Sequence, residues 1–278
     1  MAQTAPDIQL RVRGQAVASY VTAPDLDPTL SPRPYLHPVR TLGGTVLTDV
    51  LPEDHRWHLG ISVAMQDVAG SNLWGGRTYV RDVGYTWRDD HGTIAHVGFS
   101  TRTDDRLDEQ LHWRDRAGTT LLTEDRTISA AQVPGRADTW RLDVAFALTA
   151  PADQDIALGS PATNGRPDGA GYGGFFWRLA PGQPDVYTAD GAGEEQTNGS
   201  AAPWLVVTGQ AYTLIFTGLA DGDHWFVRTG IYPGVCAALA WEKPLIVPAG
   251  DTLRRHYTIL VADGTLPRAD VDALLTAV

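Results

Sequence analysis

Cysteine is almost missing from this chain, and that removes several chemistries at once. Cys236 stands alone among 278 residues. Neither an internal disulfide framework nor a thiolate metal cage can be built from it, and a reduced, cytoplasmic setting is the simplest expectation. No apolar run reaches the roughly 18 residues that a membrane-spanning helix needs. The first seven residues, MAQTAPD, carry neither a basic region nor an apolar one, so no secretory leader is expected. Positive charge is in deficit. With 33 acidic and 22 basic side chains the formal net charge is -11, which argues against nucleic-acid and anionic-membrane partners, since both want a basic face. There is no G-x-S-x-G elbow, no P-loop and no His-Glu-x-x-His. Common hydrolases, nucleotide enzymes and zinc proteases are thereby disfavoured.

What is present is apolar pattern broken by turns. Hydrophobic residues make up 43%, enough for one large core. The 29 Gly and 18 Pro imply many turns. Ile8–Arg13 alternates apolar and polar residues and, with Gln15–Val21 after Gly14, reads as a hairpin. Asp25–Pro34 reads as loop, and Pro34–Pro38 as extended chain. Leu42–Leu47 reads as turn then strand, and Leu59–Gln66 as a buried strand. Ile94–Thr101, Asp108–Arg114, Thr120–Ile128 and Thr139–Leu148 form a period-two meander, with Asp104-Asp105 and Ala117-Gly118 as turns. Phe175–Leu179, Trp204–Thr208, Tyr212–Thr217, Trp225–Arg228 and Thr252–Val261 are further strands. Only Arg268–Val278 reads as helix, with Pro267 in its first turn and Val271, Leu274 and Leu275 as its apolar stripe. The pattern predicts an all-β chain: one large antiparallel sandwich over residues 1–278, closed by a short C-terminal helix. Residues 1–7 and 189–202 are expected to be flexible.

Titratable chemistry concentrates in two short stretches, Pro34–Arg40 and Leu51–Gly60, which hold three of the eight histidines. His55 and His58 are three apart. On a strand they would face opposite ways, so they converge only if a loop or bulge carries them, as Pro52 and Glu53 suggest. Neutral imidazoles there suit proton transfer or metal ligation; the bland alternative is one core and one rim histidine. His37 is readable as cleft-facing or as a structural backbone binder. His224, Phe226 and Arg228 would share one strand face, where the Arg fork suits hydroxyls or a carboxylate, or else forms a cross-strand ion pair. Gly171–Arg178 joins flexible backbone to Tyr172, Trp177 and Arg178, and aromatic walls suit the C–H faces of sugars; a turn entering the core explains it equally. Asn72 and Trp74 lie in a loop that could close over a pocket, with Gly75-Gly76 allowing close approach. His91, His96, His112 and His256 read as structural.

The stretches RPYLHPVRTLGG (33–44) and DHRWHLGISVAMQDVAGSNLWGG (54–76), with HWFVRTGIYPG (224–234) and WEKPLIVPAGDTLRRHYTILVADG (241–264), resemble a bacterial family labelled the PmoA family, otherwise described as a domain of unknown function. The resemblance spans roughly residues 8–275. Where that family reads HHRG, this chain has Trp57-His58-Leu59-Gly60, so one His is replaced by Trp and one Arg by Leu. The label implies a membrane-bound methane monooxygenase subunit, which the lack of any spanning segment contradicts; no copper is assigned. PAGDTLRRHYTILV (248–261) is also similar to the end of the aldose 1-epimerase, or galactose mutarotase-like, fold. That similarity implies a β-supersandwich with an open sugar-binding cleft and a His acid with a carboxylate base, for which Glu242 is the nearest carboxylate here.

The resulting expectation is a carbohydrate-active enzyme using His acid/base chemistry, of epimerase, mutarotase, lyase or hydrolase type, without cofactor or metal. His55, His58 and His224 are the catalytic candidates. His37, Arg40, Asn72, Trp74, Tyr172, Trp177, Arg228 and Glu242 would hold substrate. The partner is then a small carbohydrate-like molecule, with no nucleic acid and no membrane, and a homo-oligomer is compatible. Two rivals remain: a non-catalytic sugar-binding module with the same cleft, and a metal site from His37, Asp54, His55 and His58.

Overall fold

The computed structural model describes residues 8–276; the expectation for residues 1–7 lies outside them. The alternating segments pair into two large sheets, and every pairing between named strands is antiparallel. The first sheet runs Ile8–Val12, Gln15–Val21, Tyr35–Val39, Ile61–Ala64, Gly174–Arg178, Gly234–Ala238, His224–Arg228. The second runs Asp185–Thr188, Trp204–Gly209, Tyr212–Thr217, Thr252–Asp263, Thr139–Thr149, Thr120–Gln132, Arg106–Arg114, Thr93–Arg102. The meander expected from the period-two pattern is the latter half of that second sheet. The pairing of Thr139–Thr149 with Thr252–Asp263 keeps one register from Thr139↔Ala262 to Thr149↔Thr252; Trp140, Leu142, Val144, Phe146 and Leu148 face the core, and a slip of one would expose the whole set.

The sheets stack face to face over a common core. Phe175 lies 5.2 Å from Tyr257 and Trp177 lies 5.5 Å from Phe216, in each case across the two sheets. Ile61, Val63 and Val227 of the first sheet join Leu142, Val144 and Ile259 of the second in that core. A buried polar network crosses it. Arg126 grips Glu124 through Nε (2.6 Å) and Nη2 (2.8 Å), and Trp113 Nε1 donates to the same carboxylate. Tyr20 donates to Glu109, which also pairs with His96 Nδ1 at 2.7 Å. His96 is structural, as its place in the meander suggested.

Helix Arg268–Thr276 packs Val271 and Leu274 on the outer face of the second sheet, against Val206, Ile215 and Leu260. Among the described residues no helix is long and apolar enough to cross a membrane. The segment 189–202, expected as a free excursion, is instead stitched to the edge strand His224–Arg228. The Glu194 carboxylate accepts from the N–H groups of Thr229 (2.6 Å) and Gly230 (3.0 Å). Asn198 Oδ1 accepts from Val227 N, and the Ser200 carbonyl accepts from Trp225 N. The small polar residues read as slack are there to cover an exposed sheet edge.

Candidate functional site

The outer face of the first sheet carries the site. Period-two alternation turns Val63, Phe175 and Trp177 inward, and Ala64, Phe176, Phe226, Cys236 and Ala238 outward into a second apolar cluster with Trp74 and Tyr172. Phe176, Cys236 and Phe226 are cross-strand neighbours in one row. Of this cluster, Trp74, Tyr172 and Phe226 line a cleft of about 490 Å³, within the range of small-molecule sites. Loops form its walls. Asp54, His55, Trp57 and His58 come from one, Trp74 and Arg77 from another, and Ile231 and Tyr232 from a third. Tyr85 and Trp87 come from the hairpin that follows Arg77, and Arg166 and Tyr172 from the Gly-rich segment.

The His-x2-His spacing works because residues 52–58 make two consecutive tight turns. His55 N donates to the Pro52 carbonyl (3.1 Å) and His58 N to the His55 carbonyl (2.9 Å). That folds the two imidazoles onto one side, ring centroids 4.7 Å apart and 21° from parallel. Their partners give them opposite protonation patterns. His55 Nδ1 lies 2.8 Å from Asp54 Oδ2. Partial burial pushes the Asp54 pKa up, but the bond from His55 and the nearby Arg178 outweigh it and hold the carboxyl below its usual range. A carboxylate only accepts, so His55 carries its proton on Nδ1 and leaves Nε2 as an acceptor. His58 Nδ1 lies 3.2 Å from Arg178 Nη1. A guanidinium only donates, so neutral His58 carries its proton on Nε2. Burial, then the charges of His55, Arg178 and Arg33, hold its pKa well below the ordinary histidine value. The site therefore pairs one proton acceptor with one proton donor (the tautomers follow from partner chemistry).

Two buried arginines set this geometry. Arg178 also bonds Asp54 at 3.2 Å and lies 4.8 Å over the Tyr232 ring. Arg33, fully buried, donates to the carbonyls of Trp57 (2.9 Å), Trp74 (3.0 Å) and Ser31 (3.1 Å) and to Ser62 Oγ (3.1 Å). It ties the histidine loop, the Trp74 loop and the sheet together. Burial, with Arg126 adding like charge, drags its pKa down to about 9, so it stays cationic at neutral pH. Burial raises the phenol pKa of Tyr172, Tyr85 and Tyr232, and all three remain protonated.

The cleft unites five of the sequence candidates: His55, His58, Trp74, Tyr172 and Arg228. Six are elsewhere. Trp177 is a core residue, its indole donating to the Leu47 carbonyl; a strand that turns Phe176 and Arg178 outward must turn Trp177 inward. Asn72 is fully buried and shapes its own loop. It accepts from Trp74 N (3.0 Å) and Gly75 N (2.8 Å) and donates to Thr78 Oγ1 (3.0 Å). His37 lies behind the site, 2.9 Å from Thr48 Oγ1. Arg40 reaches the Gly44 carbonyl at the sandwich rim. His224 shares a strand face with Phe226 and Arg228 as expected, but at the far end, stacked on Trp241. It lines a separate depression with Glu242.

The metal reading also needs correction: among the described residues, no three of His, Cys, Asp or Glu converge as a ligand set. Gly75-Gly76 admits no ligand. It seats Trp57, whose ring would lie 2.5 Å from a Cβ on Gly76. Sequence reasoning missed Arg33 as a site residue and named Arg178 only as the end of the Gly171–Arg178 motif, although alternation from Phe176 points it outward. It also missed Tyr85, in the short strand Gly84–Thr86, and Arg77, Trp87, Arg166 and Tyr232, which lie in loops without a repeating pattern.

A model of a family of unknown function (DUF6807) matches residues 7–276. No curated protein matches the chain. Among solved structures, one from Escherichia coli K12, assigned as an aldose 1-epimerase, is similar at 11% identity over 94% of this chain and 99% of its own, with TM-score 0.42. A heparan sulfate lyase mutant from Pedobacter heparinus is similar at 9% identity over 91% of this chain but 34% of its own, with TM-score 0.37. Likeness this low fixes neither fold nor activity.

Proposed function

The chain belongs to the family of unknown function DUF6807, and we propose that it is an enzyme that moves a proton on a carbohydrate or similar polyhydroxylated compound. The observation that carries this reading is the stacked pair of imidazoles with opposite hydrogen-bonding roles, facing a cleft with an aromatic floor. His55 Nε2 takes a proton from a substrate C–H or O–H, and the Asp54 carboxylate stabilises the imidazolium that forms. His58 Nε2–H donates to the substrate oxygen on which negative charge develops. Delivery of a solvent proton to the opposite face of the carbon, with the His55 proton released to water, gives epimerisation; expulsion of a leaving group from the adjacent carbon gives elimination. Trp74, Tyr172 and Phe226 offer apolar surface to the C–H faces of a sugar ring. Trp57, which replaces a histidine of the resembled pattern, packs on Gly76 as a wall and leaves the cleft open.

The test is incubation with aldoses, keto-sugars and sugar acids in heavy water, followed by proton NMR. Enzyme-dependent deuteration, elimination or anomer exchange is expected, falling by about 10²–10⁴-fold in His55→Ala with the fold retained. Full activity in both His55→Ala and His58→Ala ends the reading. Saturable sugar binding by calorimetry with no chemical change would make the chain a binding module instead.

A further inference from the structure

The rim of the cleft is cationic in a protein whose formal net charge is -11. Three guanidiniums, Arg77, Arg166 and Arg228, line it against the single carboxylate of Asp54. That carboxylate is already engaged by His55 at 2.8 Å and Arg178 at 3.2 Å. Arg77 is exposed, and its contact is with the Trp87 ring at 5.9 Å. Arg166 donates to the Tyr85 hydroxyl and lies 4.8 Å over that ring. Neither has an acidic partner among the described residues. The acidic contact of Arg228 is a long one, Glu194 at 3.7 Å, beside bonds to the Val227 and Gly169 carbonyls. In a chain with half again as many acids as bases, unpaired arginines on one rim mark a place where an anion from outside completes the pairing.

The position of these charges narrows the ligand. His58 lies 5.8 Å from Trp74, Trp74 lies 4.8 Å from Tyr172, and the Tyr172 hydroxyl is 2.8 Å from that of Tyr85, beneath Arg166. A continuous row of rings thus links the imidazoles to Arg166. We propose that the substrate is an acidic carbohydrate whose carboxylate or sulfate group docks between Arg77 and Arg166. The reacting carbon sits at His55, so the acidic group belongs to a substituent or a neighbouring sugar unit. This rests on the carbohydrate reading of the same cleft and adds the charge and its location.

Calorimetric titration of the full chain tests it with four probes: a hexuronic-acid disaccharide, its neutral counterpart, a sulfated counterpart, and sugar-free acetate and sulfate. At least one acidic disaccharide should bind about tenfold or more tighter than the neutral one, as one charge-assisted pair supplies. Whichever acidic member binds identifies the group. Arg166→Gln and Arg77→Gln should each erase most of that preference, weakening the acidic disaccharide far more than the neutral one. Arg166→Lys should retain part of it, and His55→Gln all of it. Melting temperatures near that of the parent exclude misfolding. Equal binding of acidic and neutral sugars, or a preference that survives both Gln variants, overturns the inference while the proposed function stands. Arginine-dependent binding of acetate or sulfate with no sugar binding leaves an anion site and removes the carbohydrate reading. Failure of every anion to bind overturns the inference.

Discussion

Of the histidines, His58 is the one most withdrawn from water. It is 1% exposed and surrounded by the rings of Trp57, Trp74, Phe176 and Tyr232. Its folded pKa lies well below 6.5, so in the window beneath about pH 6.5 the unfolded chain binds a proton that the folded chain refuses. Stability therefore rises with pH through that window and is flat above it for this group. A melting-temperature series from acid to neutral pH should fall on the acid side, with a shallower slope in His58→Gln; identical slopes would remove His58 as the cause. Arg178→Met tests the other half of the pair. It strands the His58 ring nitrogen and frees Asp54, and should cost roughly 1–3 kcal/mol by urea denaturation, with a larger fractional loss of activity than of stability. The arginine's own Nε has no partner in the fold, which shows how far its placement serves its other two nitrogens.

At the scale of the element, the loops decide the site. Gly76 has φ +71°, and an added Cβ would meet the Trp57 indole at 2.5 Å. Gly76→Ala should therefore cost about 1–3 kcal/mol in backbone strain and displace Trp57, read as a change in tryptophan fluorescence together with weaker ligand binding. Asn72→Ala should cost at least about 2 kcal/mol, because it leaves two loop N–H groups unbonded in a buried place; a smaller loss measured by denaturation would mean water replaces the amide. The strands, by contrast, were legible from their pattern. Ile8–Val12 and Gln15–Val21 pair as the hairpin their alternation indicated. The C-terminal helix begins at the residue after Pro267. The loop conformations were not legible, because two turns at 52–58 and the Asn72 cap are specific hydrogen-bond choices, and a composition rich in Pro, Asp and Gly is compatible with many of them.

For the whole molecule, the buried Arg126 network is one polar tie between the sheets, made through Tyr20. Glu124 and Arg126 are 1% and 3% exposed. Arg126→Met leaves the buried Glu124 carboxyl with Trp113 but without its guanidinium, and should destabilise by about 3–5 kcal/mol, read by equilibrium denaturation. Replacing the pair together should cost much less, since the penalty lies in the uncompensated charge.

The sequence by itself determined the fold class, because period-two alternation records which residues face a core, and that record is local. It also determined which loop carries the histidines, because titratable residues are placed sparingly beside apolar strands. Only the tertiary structure decided which of them share a cleft. Trp177, Asn72, His37, Arg40, His224 and Glu242 have suitable chemistry but lie inside, behind or beyond it. Arg33, Arg77, Arg166 and Tyr232 come from distant segments that meet only once the first sheet has formed. A site on the outside of a sheet is assembled from strand order, and strand order is a long-range property that no short stretch of chain contains.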